Sequence, residues 1–219
     1  NCKSEACWMK INNLMNKFNK YSFEKNFKPI MPKKWKKNKN VWLTTSDIEN
    51  CLNQYKDYDK NFHFYGAVPI DFNKCSVSNL CSINLSTHLN NKKSKIGIVF
   101  NTDPSTKEGE HWISLYIDLN GINLNGYPGI YYFDSYGKRP PKEIIILINK
   151  LKNQGLKCKR KLHYFYNDKP YQYKDYQCGM YSIHFIKEML SGKSFLSYLK
   201  GTLTDNYMKN LRDNYFIEL

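Results

Sequence analysis

Cysteine, histidine and aspartate residues lie far apart along the chain in an order that could support nucleophilic catalysis. Cys178 supplies a thiol, His111 an imidazole that could take its proton, and Asp134 a carboxylate that could orient the imidazole. If Asp134 accepts the Nδ1–H of His111, the other ring nitrogen, Nε2, faces the sulfur. Donors toward the developing oxyanion could come from the Cys178 backbone N–H and the Gln172 side chain, with Gln177 as a competing donor.

Each of these residues also has an ordinary structural interpretation when it is taken alone. A cysteine at the start of a buried helix commonly packs as a small apolar side chain. His111 could be a satisfied histidine at a sheet edge, and Asp134 could initiate a turn. His163 and His184 are weaker candidates for the base, because the first lies within a strand and the second points off the helix that begins at Cys178. Only the residues taken together favour catalysis over packing.

The predicted secondary structure places these residues at the ends of elements. Residues 178–190 have apolar side chains near helical spacing and predict a central, buried helix, so the sulfur lies at its positive end. Residues 111–118 alternate in character and predict a half-buried strand, with His111 on its apolar face. Residues 129–134 predict a neighbouring strand that ends at Asp134.

Other segments complete the predicted domain. A capping box of Ser46 and Glu49 opens a helix, and Pro140 and Pro141 precede another, which Gly155 ends. Further predicted elements are strands at 62–68, 96–100 and 162–166 and a closing helix at 204–215, capped by Thr204 or Asp205. Because these elements neither alternate regularly nor form an all-strand pattern, we predict an α+β fold with a mixed or antiparallel sheet.

The composition is that of a folded chain. The sequence has 219 residues and a mass of 26.0 kDa, with 41% hydrophobic and 16% aromatic residues, which is enough for one sizeable core. Its longest apolar run, at 144–148, is too short to span a bilayer, so we expect no membrane partner. The chain opens with Asn1 and no leader-like segment, so we expect a trimmed sequence that is not secreted.

The seven cysteines are odd in number and scattered along the chain. This pattern favours a reducing compartment over a disulfide-stabilised scaffold. No Cys-x2-Cys pair occurs, and neither Cys2-x4-Cys7 nor Cys75-x5-Cys81 has the matching second pair that a zinc site needs. We therefore expect no metal and no other cofactor.

The net charge of +15 is concentrated near the N-terminus. Residues 1–40 contain eleven lysines against Glu5 and Glu24, and the character of the chain changes after them. We predict a basic N-terminal arm at 1–40 and a main domain at 41–219. The cluster from Lys33 to Lys39 could bind nucleic-acid phosphates or an acidic partner protein, whereas the simpler interpretation is a solvated arm.

Three short motifs follow one another in a fixed order: His111-Trp112, Phe133-Asp134-Ser135 and Gln172-x5-Cys178-Gly179. Trp42-Leu43 stands ahead of the first helix predicted for the main domain. In their order along the chain and in the residues within each of them, these motifs resemble the adenain and ubiquitin-like-protein protease clan, the SUMO-protease-like cysteine peptidases. Each dipeptide alone carries no information, but the combination is specific.

Two further segments, at 66–72 and 101–106, most resemble polyprotein-processing proteases of large cytoplasmic DNA viruses, of the African swine fever virus type. The resemblance extends over about 42–215. It implies a viral cysteine endopeptidase that cleaves structural or core polyprotein precursors. It also implies a location in the host cytoplasm, at the viral factory, and in the virion.

The resemblance also implies a papain-like but circularly rearranged α+β fold, with a central mixed sheet flanked by helices. The implied roles are nucleophile for Cys178, base for His111, orienting group for Asp134 and oxyanion donor for Gln172. Trp112 and Trp42 are implied to line a narrow tunnel over the scissile bond. Two indole rings enclosing a peptide backbone admit only residues without a Cβ, which predicts cleavage at Gly-Gly or Ala-Gly junctions.

Other functions remain open at this stage. The same tunnel would serve a deubiquitinating or deSUMOylating enzyme, since those conjugates also end in Gly-Gly. Some effector relatives of the clan instead transfer an acetyl group from coenzyme A with a similar Cys and His. The charge of +15 motivates a third class, a basic nucleic-acid-binding protein with a vestigial site, and adenovirus-type relatives use nucleic acid as an activator.

Overall fold

A mixed five-stranded sheet organises the computed structural model, which describes Cys7 and residues 28–218. The strands are β1 (Phe62–Pro69), β2 (Lys95–Asn101), β3 (Trp112–Asp118), β4 (Gly129–Phe133) and β5 (His163–Tyr166), and they lie in this order across the sheet. The pairs β1/β2 and β4/β5 are parallel, whereas β2/β3 and β3/β4 are antiparallel. The predicted α+β fold with a mixed sheet is therefore confirmed.

Helices cover both faces of this sheet. In chain order they are α1 (Lys33–Lys37), α2 (Thr45–Asn53), α3 (Tyr55–Tyr58), α4 (Leu85–Asn90), α5 (Lys142–Lys157), α6 (Cys178–Leu190), α7 (Phe195–Leu199) and α8 (Asp205–Tyr215). A parallel strand pair needs a crossover connection, and α4 and α5 lie within the two crossovers. Helices α1, α3, α4 and α7 are short and were not predicted.

The central strand β3 is buried on both sides rather than on one, which corrects the sequence-based prediction. Ile113, Leu115 and Ile117 pack in one core with the apolar side of α5. Trp112 and Tyr116, from the alternate positions, pack in a second core with α2 and α6. The apolar side chains at alternate positions of β3 predicted one buried face. The other face is covered by α2 and α6, which lie far from β3 in sequence, so the pattern within the strand did not predict its burial.

Two helix boundaries differ from the prediction. Helix α2 is capped by Thr44 and Asp47, each bonding the other's backbone N–H, whereas Glu49 accepts the N–H of Ala67. The capping-box pattern is right, but it begins two residues earlier than predicted. Helix α5 continues through Gly155, where a Cβ would lie 2.6 Å from the Arg160 carbonyl oxygen. Gly155 therefore allows residue 160 to approach the helix closely and does not end the helix.

Two other boundaries agree with the sequence. The helix that begins at Cys178 ends at Leu190, just before Gly192 with its positive φ of 89°. Thr204 caps α8 by accepting the Tyr207 N–H. The capping group that the sequence left open between Thr204 and Asp205 is therefore Thr204.

Residues 28–40 pack against the C-terminal segment. The Ile217 N–H donates to the Pro29 carbonyl oxygen, and the Met31 N–H donates to the Ile217 carbonyl oxygen. Trp35 is 0% exposed and contacts Phe216 edge to face. The lysines of the cluster stay at the surface, where Lys39 forms an ion pair with Asp213. The division at residue 40 stays a prediction, and apart from Cys7 the arm at 1–27 lies outside the described residues.

A disulfide joins Cys75 and Cys81, which the sequence had not predicted. Cys51, Cys158 and Cys178 are free thiols. No group of three or more histidine, cysteine or acidic side chains in the described part of the chain could hold a metal ion. Across those same residues, every helix is too short or too polar to cross a bilayer.

We predict that Trp35→Ala lowers the free energy of unfolding by about 3 to 5 kcal/mol, the usual effect of removing a buried tryptophan side chain. The exposed Lys37→Ala in the same helix is the control, with an expected change within about 0.5 kcal/mol. Urea denaturation of both variants measures the effect. Equal stabilities for the two would contradict the packing of this segment on the domain.

Candidate active site

Helix α6 places Cys178 at its first position, where the thiol is 2% exposed. Gln177 is the N-cap residue, and its side chain does not cap the helix, so the first backbone N–H groups keep their donor capacity. A Cβ on Gly179 would lie 2.9 Å from Leu43 Cβ and 3.4 Å from Trp112 Cδ1. The glycine therefore lets the start of the helix pack closely against the sheet edge.

His111 and Asp134 meet at the same edge. His111 precedes the first residue of β3 and is 8% exposed, and Asp134 follows the last residue of β4. The His111 Nε2–H donates to Asp134 Oδ1 at 2.8 Å. The predicted pair is therefore present, but the predicted tautomer is wrong, since Nε2 rather than Nδ1 binds the carboxylate. The alternation of side chains along residues 111–118 predicts which face of the strand His111 lies on, but not which ring nitrogen faces Asp134.

The imidazole of His111 also lies next to Cys178, which favours the protonated ring. With Nε2 on Asp134, the nitrogen left for the sulfur is Nδ1. Burial lowers the pKa of His111, but the hydrogen bonds and negative charges of Asp134 and Cys178 outweigh it and raise the pKa to about 9. At neutral pH the site therefore favours an imidazolium at His111, beside Cys178.

Two residues that the sequence analysis missed hold Asp134 in place. The Tyr136 N–H donates to Asp134 Oδ1 at 2.8 Å, and the Tyr136 ring stacks on His111 with the centroids 4.6 Å apart. The Asn167 side chain accepts the Asp134 N–H and donates to its carbonyl oxygen. Asp134 and Asn167 follow the parallel neighbours β4 and β5, and a polar residue directly after each strand is a signal that could have identified the pair.

The two glutamines near Cys178 have different partners. The Gln172 Oε1 accepts the Ser135 hydroxyl at 2.7 Å, and its Nε2 donates to the Tyr136 hydroxyl and to the Lys174 carbonyl oxygen. Gln172 is thus fixed against the Asp134 turn. The Gln177 Oε1 accepts two hydrogen bonds from the buried guanidinium of Arg212.

The two tryptophans lie in different environments. Trp112 is buried, and its Nε1–H donates to the Leu43 carbonyl oxygen at 2.9 Å. It lines a cavity of about 320 Å³ together with residues such as Thr45 and Asn101. Trp42 is 40% exposed and does not line this cavity, but it directly precedes Leu43. The Trp112 hydrogen bond therefore ties the two tryptophan segments together.

The weaker base candidates lie elsewhere. His184 bonds the Tyr215 hydroxyl through Nδ1 at 2.8 Å, and burial lowers its pKa to about 4. His163 lies in β5 and contacts the ring of Tyr127. Of the histidines in the described residues, His111 is the one that joins a carboxylate to the Cys178 thiol.

Comparisons with known proteins found a matching family and several relatives of this chain. The model of the Ulp1 protease family, C-terminal catalytic domain, matches residues 36–219. A candidate thiol protease of Acanthamoeba polyphaga mimivirus is 35% identical over 176 residues, which cover 80% of this chain and 56% of that protein. The SUMO-1 cysteine protease of African swine fever virus is 31% identical over 121 residues, which cover 55% and 43% of the two chains. The chain thus spans about half the length of these curated relatives.

Solved structures show the same fold. The crystal structure of the African swine fever virus protease superposes with a TM-score of 0.77 at 21% identity, covering 100% of this chain and 84% of that one. The SUMO protease Ulp1 superposes with a TM-score of 0.53 at 18% identity, covering 80% and 75%. The fold implied by the sequence motifs is therefore confirmed.

We predict that Asp134→Asn lowers the pKa of His111 by at least about one unit, because a carboxylate that favours the protonated ring is replaced by a neutral amide. In the native protein the ring keeps its proton until the pH rises through about 9, and in the variant it loses the proton at lower pH. NMR titration of the imidazole measures the change. The exposed Asp168→Asn is the control, and an unchanged His111 titration in Asp134→Asn would contradict the assigned contact.

Proposed function

The chain belongs to the Ulp1 protease family, a family of cysteine proteases, and on this premise we propose that it is an endopeptidase in which Cys178 is the nucleophile. The observation that carries the proposal is the buried His111, which hydrogen-bonds Asp134 and lies next to Cys178. Asp134 orients the imidazole and stabilises its charged form. The proposed oxyanion donors are the Cys178 backbone N–H and the Gln172 side chain, whose Nε2 would exchange its bond to the Tyr136 hydroxyl for one to the oxyanion.

The reaction begins with the thiolate of Cys178 and the imidazolium of His111. The sulfur attacks the carbonyl carbon of the scissile peptide, and the negative charge moves to the carbonyl oxygen, which the Gln172 amide and the backbone N–H stabilise. His111 gives its proton to the leaving amine as the C–N bond breaks, which leaves a thioester on Cys178. Water, deprotonated by His111, hydrolyses the thioester and restores the thiolate and the imidazolium.

The elevated pKa of His111 sets an upper pH limit for this chemistry. The imidazolium must survive as the proton donor to the leaving amine, and it loses its proton as the pH rises through about 9. The carboxylate of Asp134 extends this limit, since its charge and hydrogen bond both favour the protonated ring. The proposed enzyme therefore keeps this proton donor throughout the neutral range.

We propose viral structural or core precursors as the substrates, cleaved at glycine-containing junctions in the host cytoplasm and in the virion. Two observations support a narrow approach to the sulfur: Trp112 packs beside Gly179 and is tied through Leu43 to the neighbouring Trp42. The cavity beside Trp112 offers about 320 Å³ for residues on one side of the scissile bond.

A second candidate function is removal of ubiquitin-like proteins from host conjugates. The name of the African swine fever virus relative contains SUMO-1, and the solved Ulp1 is named a SUMO protease. Both substrate classes present a glycine-rich backbone to the same nucleophile. Covalent SUMO-1 and ubiquitin probes separate them, because only a deconjugating enzyme reacts with a probe faster than with a short Gly-Gly peptide.

The lysine cluster from Lys33 to Lys39 supports a nucleic-acid or acidic protein partner less strongly than the candidate active site supports a peptide substrate. Lys36 and Lys39 lie beside Glu218 and Asp213, which reduces the positive charge open to phosphates, whereas Lys33, Lys34 and Lys37 stay exposed. Contact with nucleic acid or with an acidic protein through these lysines stays a prediction.

We predict that Cys178→Ala lowers kcat/KM on a fluorogenic Gly-Gly peptide by about 10⁴- to 10⁶-fold, the usual effect of removing the nucleophile of a catalytic unit. The matched control is Cys158→Ala, which removes a free thiol at the end of α5 and should retain activity. Cleavage by Cys178→Ala at the native rate would rule out the proposed chemistry.

We also predict that replacing the glycine that is second before the scissile bond by alanine lowers kcat/KM about 10- to 200-fold, since one added methyl group must fit between two indole rings. Trp42→Ala should reduce this preference because it removes one wall. Tyr58→Ala, which removes another exposed aromatic ring, should leave it intact. Unchanged selectivity in Trp42→Ala would show that this residue does not line the tunnel.

A further inference from the structure

Arg212, on helix α8, is a buried cation without a carboxylate partner. Its side chain is 0% exposed, and no acidic group of the described residues lies within 4.0 Å of its guanidinium nitrogens. Instead the guanidinium lies 4.4 Å from the centre of the Trp35 ring. A buried charge is unfavourable unless an opposite charge or a full set of hydrogen bonds compensates it.

The hydrogen bonds of Arg212 lead to the segment that carries Cys178. Its Nε and Nη2 donate to Gln177 Oε1, and Nη2 also donates to the Tyr176 carbonyl oxygen at 3.2 Å. A third acceptor is the Val41 carbonyl oxygen at 2.7 Å, next to Trp42. The guanidinium thus holds the two residues that precede Cys178 and the start of the Trp42 segment. Its Nη1 has no acceptor among the described residues.

Several charged or titratable groups surround the sulfur of Cys178. Those that interact with it electrostatically are His111, Tyr136 and Arg212, and behind them lie Asp134, on His111, and Asp47, near Arg212. Burial lowers the pKa of Arg212 to about 10, and the negative charges of Asp47 and Cys178 oppose this effect. Asp47, which also caps α2 through the Thr44 N–H, gives the larger of these two effects, and a thiolate at Cys178 is the second anion that favours the guanidinium.

We propose that Arg212 is a positioning residue for the nucleophile: it fixes the Tyr176–Gln177 segment and its buried positive charge stabilises the thiolate of Cys178. The inference rests on the proposed role of Cys178. In this arrangement the thiolate has two cationic neighbours, the His111 imidazolium and the Arg212 guanidinium. Trp35 covers the guanidinium and keeps its charge from being screened by water.

The experiment measures the rate of alkylation of Cys178 by iodoacetamide from pH 4 to pH 10, with mass spectrometry of the Cys178 peptide as the readout. Arg212→Gln should move the rise of the rate to higher pH by about one unit, which slows alkylation on the acid side about tenfold. Arg212→Lys keeps a positive charge but loses the fork that binds Gln177 Oε1, so its profile should shift less than that of Arg212→Gln. On peptide substrate, Arg212→Gln should lower kcat more than it changes KM.

The matched control is Arg160→Gln, which removes another arginine that binds a carbonyl oxygen, that of Leu119, away from the site. It should leave the alkylation profile unchanged. If circular dichroism shows that Arg212→Gln is unfolded, Arg212→Met replaces it, because an apolar side chain fills the space without a buried charge. The Lys variant tests the inference in either case.

Two results would overturn the inference: a folded Gln or Met variant with the native profile, or a Lys variant that shifts as far as Gln. A merely structural role would lower stability but leave the profile in place. Because alkylation needs no peptide cleavage, failure of this inference is distinguishable from failure of the proposed function. An active Cys178→Ala would reject the function alone.

Discussion

The pairing of β3 with β4 is the constraint on which the candidate site depends. In this antiparallel register Ser114 lies opposite Phe133, so His111, just before β3, comes to the turn that begins with Asp134 just after β4. The 2.8 Å hydrogen bond between His111 and Asp134 and the stacking of Tyr136 on the imidazole both follow from this register. A slip of one residue would turn each side chain to the opposite face of the sheet and separate the pair.

The third member of the site reaches this edge through helix packing rather than strand pairing. Helix α6 crosses the face of the sheet that carries Trp112 and Tyr116, and its first turn approaches Leu43 so closely that Gly179 admits no Cβ. The position of Cys178 is thus set by the depth at which a whole helix packs. This explains why a helix that is buried almost all round follows the nucleophile: an amphipathic helix with a solvent-exposed face would leave its first turn less constrained.

The sequence predicted the strands, the long helices and the members of the site, because each leaves a local pattern or motif. It could not predict which nitrogen of His111 faces the sulfur, since ring orientation depends on contacts that form only after the strands pair. Asn167 was missed because its contact with Asp134 depends on the parallel pairing of β4 with β5, and Tyr136 because its stacking on His111 depends on the pairing of β3 with β4. The cap of α2 was misplaced to Ser46 because two overlapping hydroxyl and carboxylate patterns satisfy the same rule.

The electrostatic balance of the site extends to both ends of the described chain. In the proposed site two anions, Asp134 and the Cys178 thiolate, lie near two cations, the His111 imidazolium and Arg212, and all four residues are buried where water screens charge little. Loss of any one of them leaves an opposite charge uncompensated, so the four stabilise one another in their charged forms. Trp35, far from the other site residues in sequence, covers the guanidinium and makes the N-terminal segment part of this electrostatic unit. The reactive state of the thiol then depends on a segment that touches neither substrate nor sulfur.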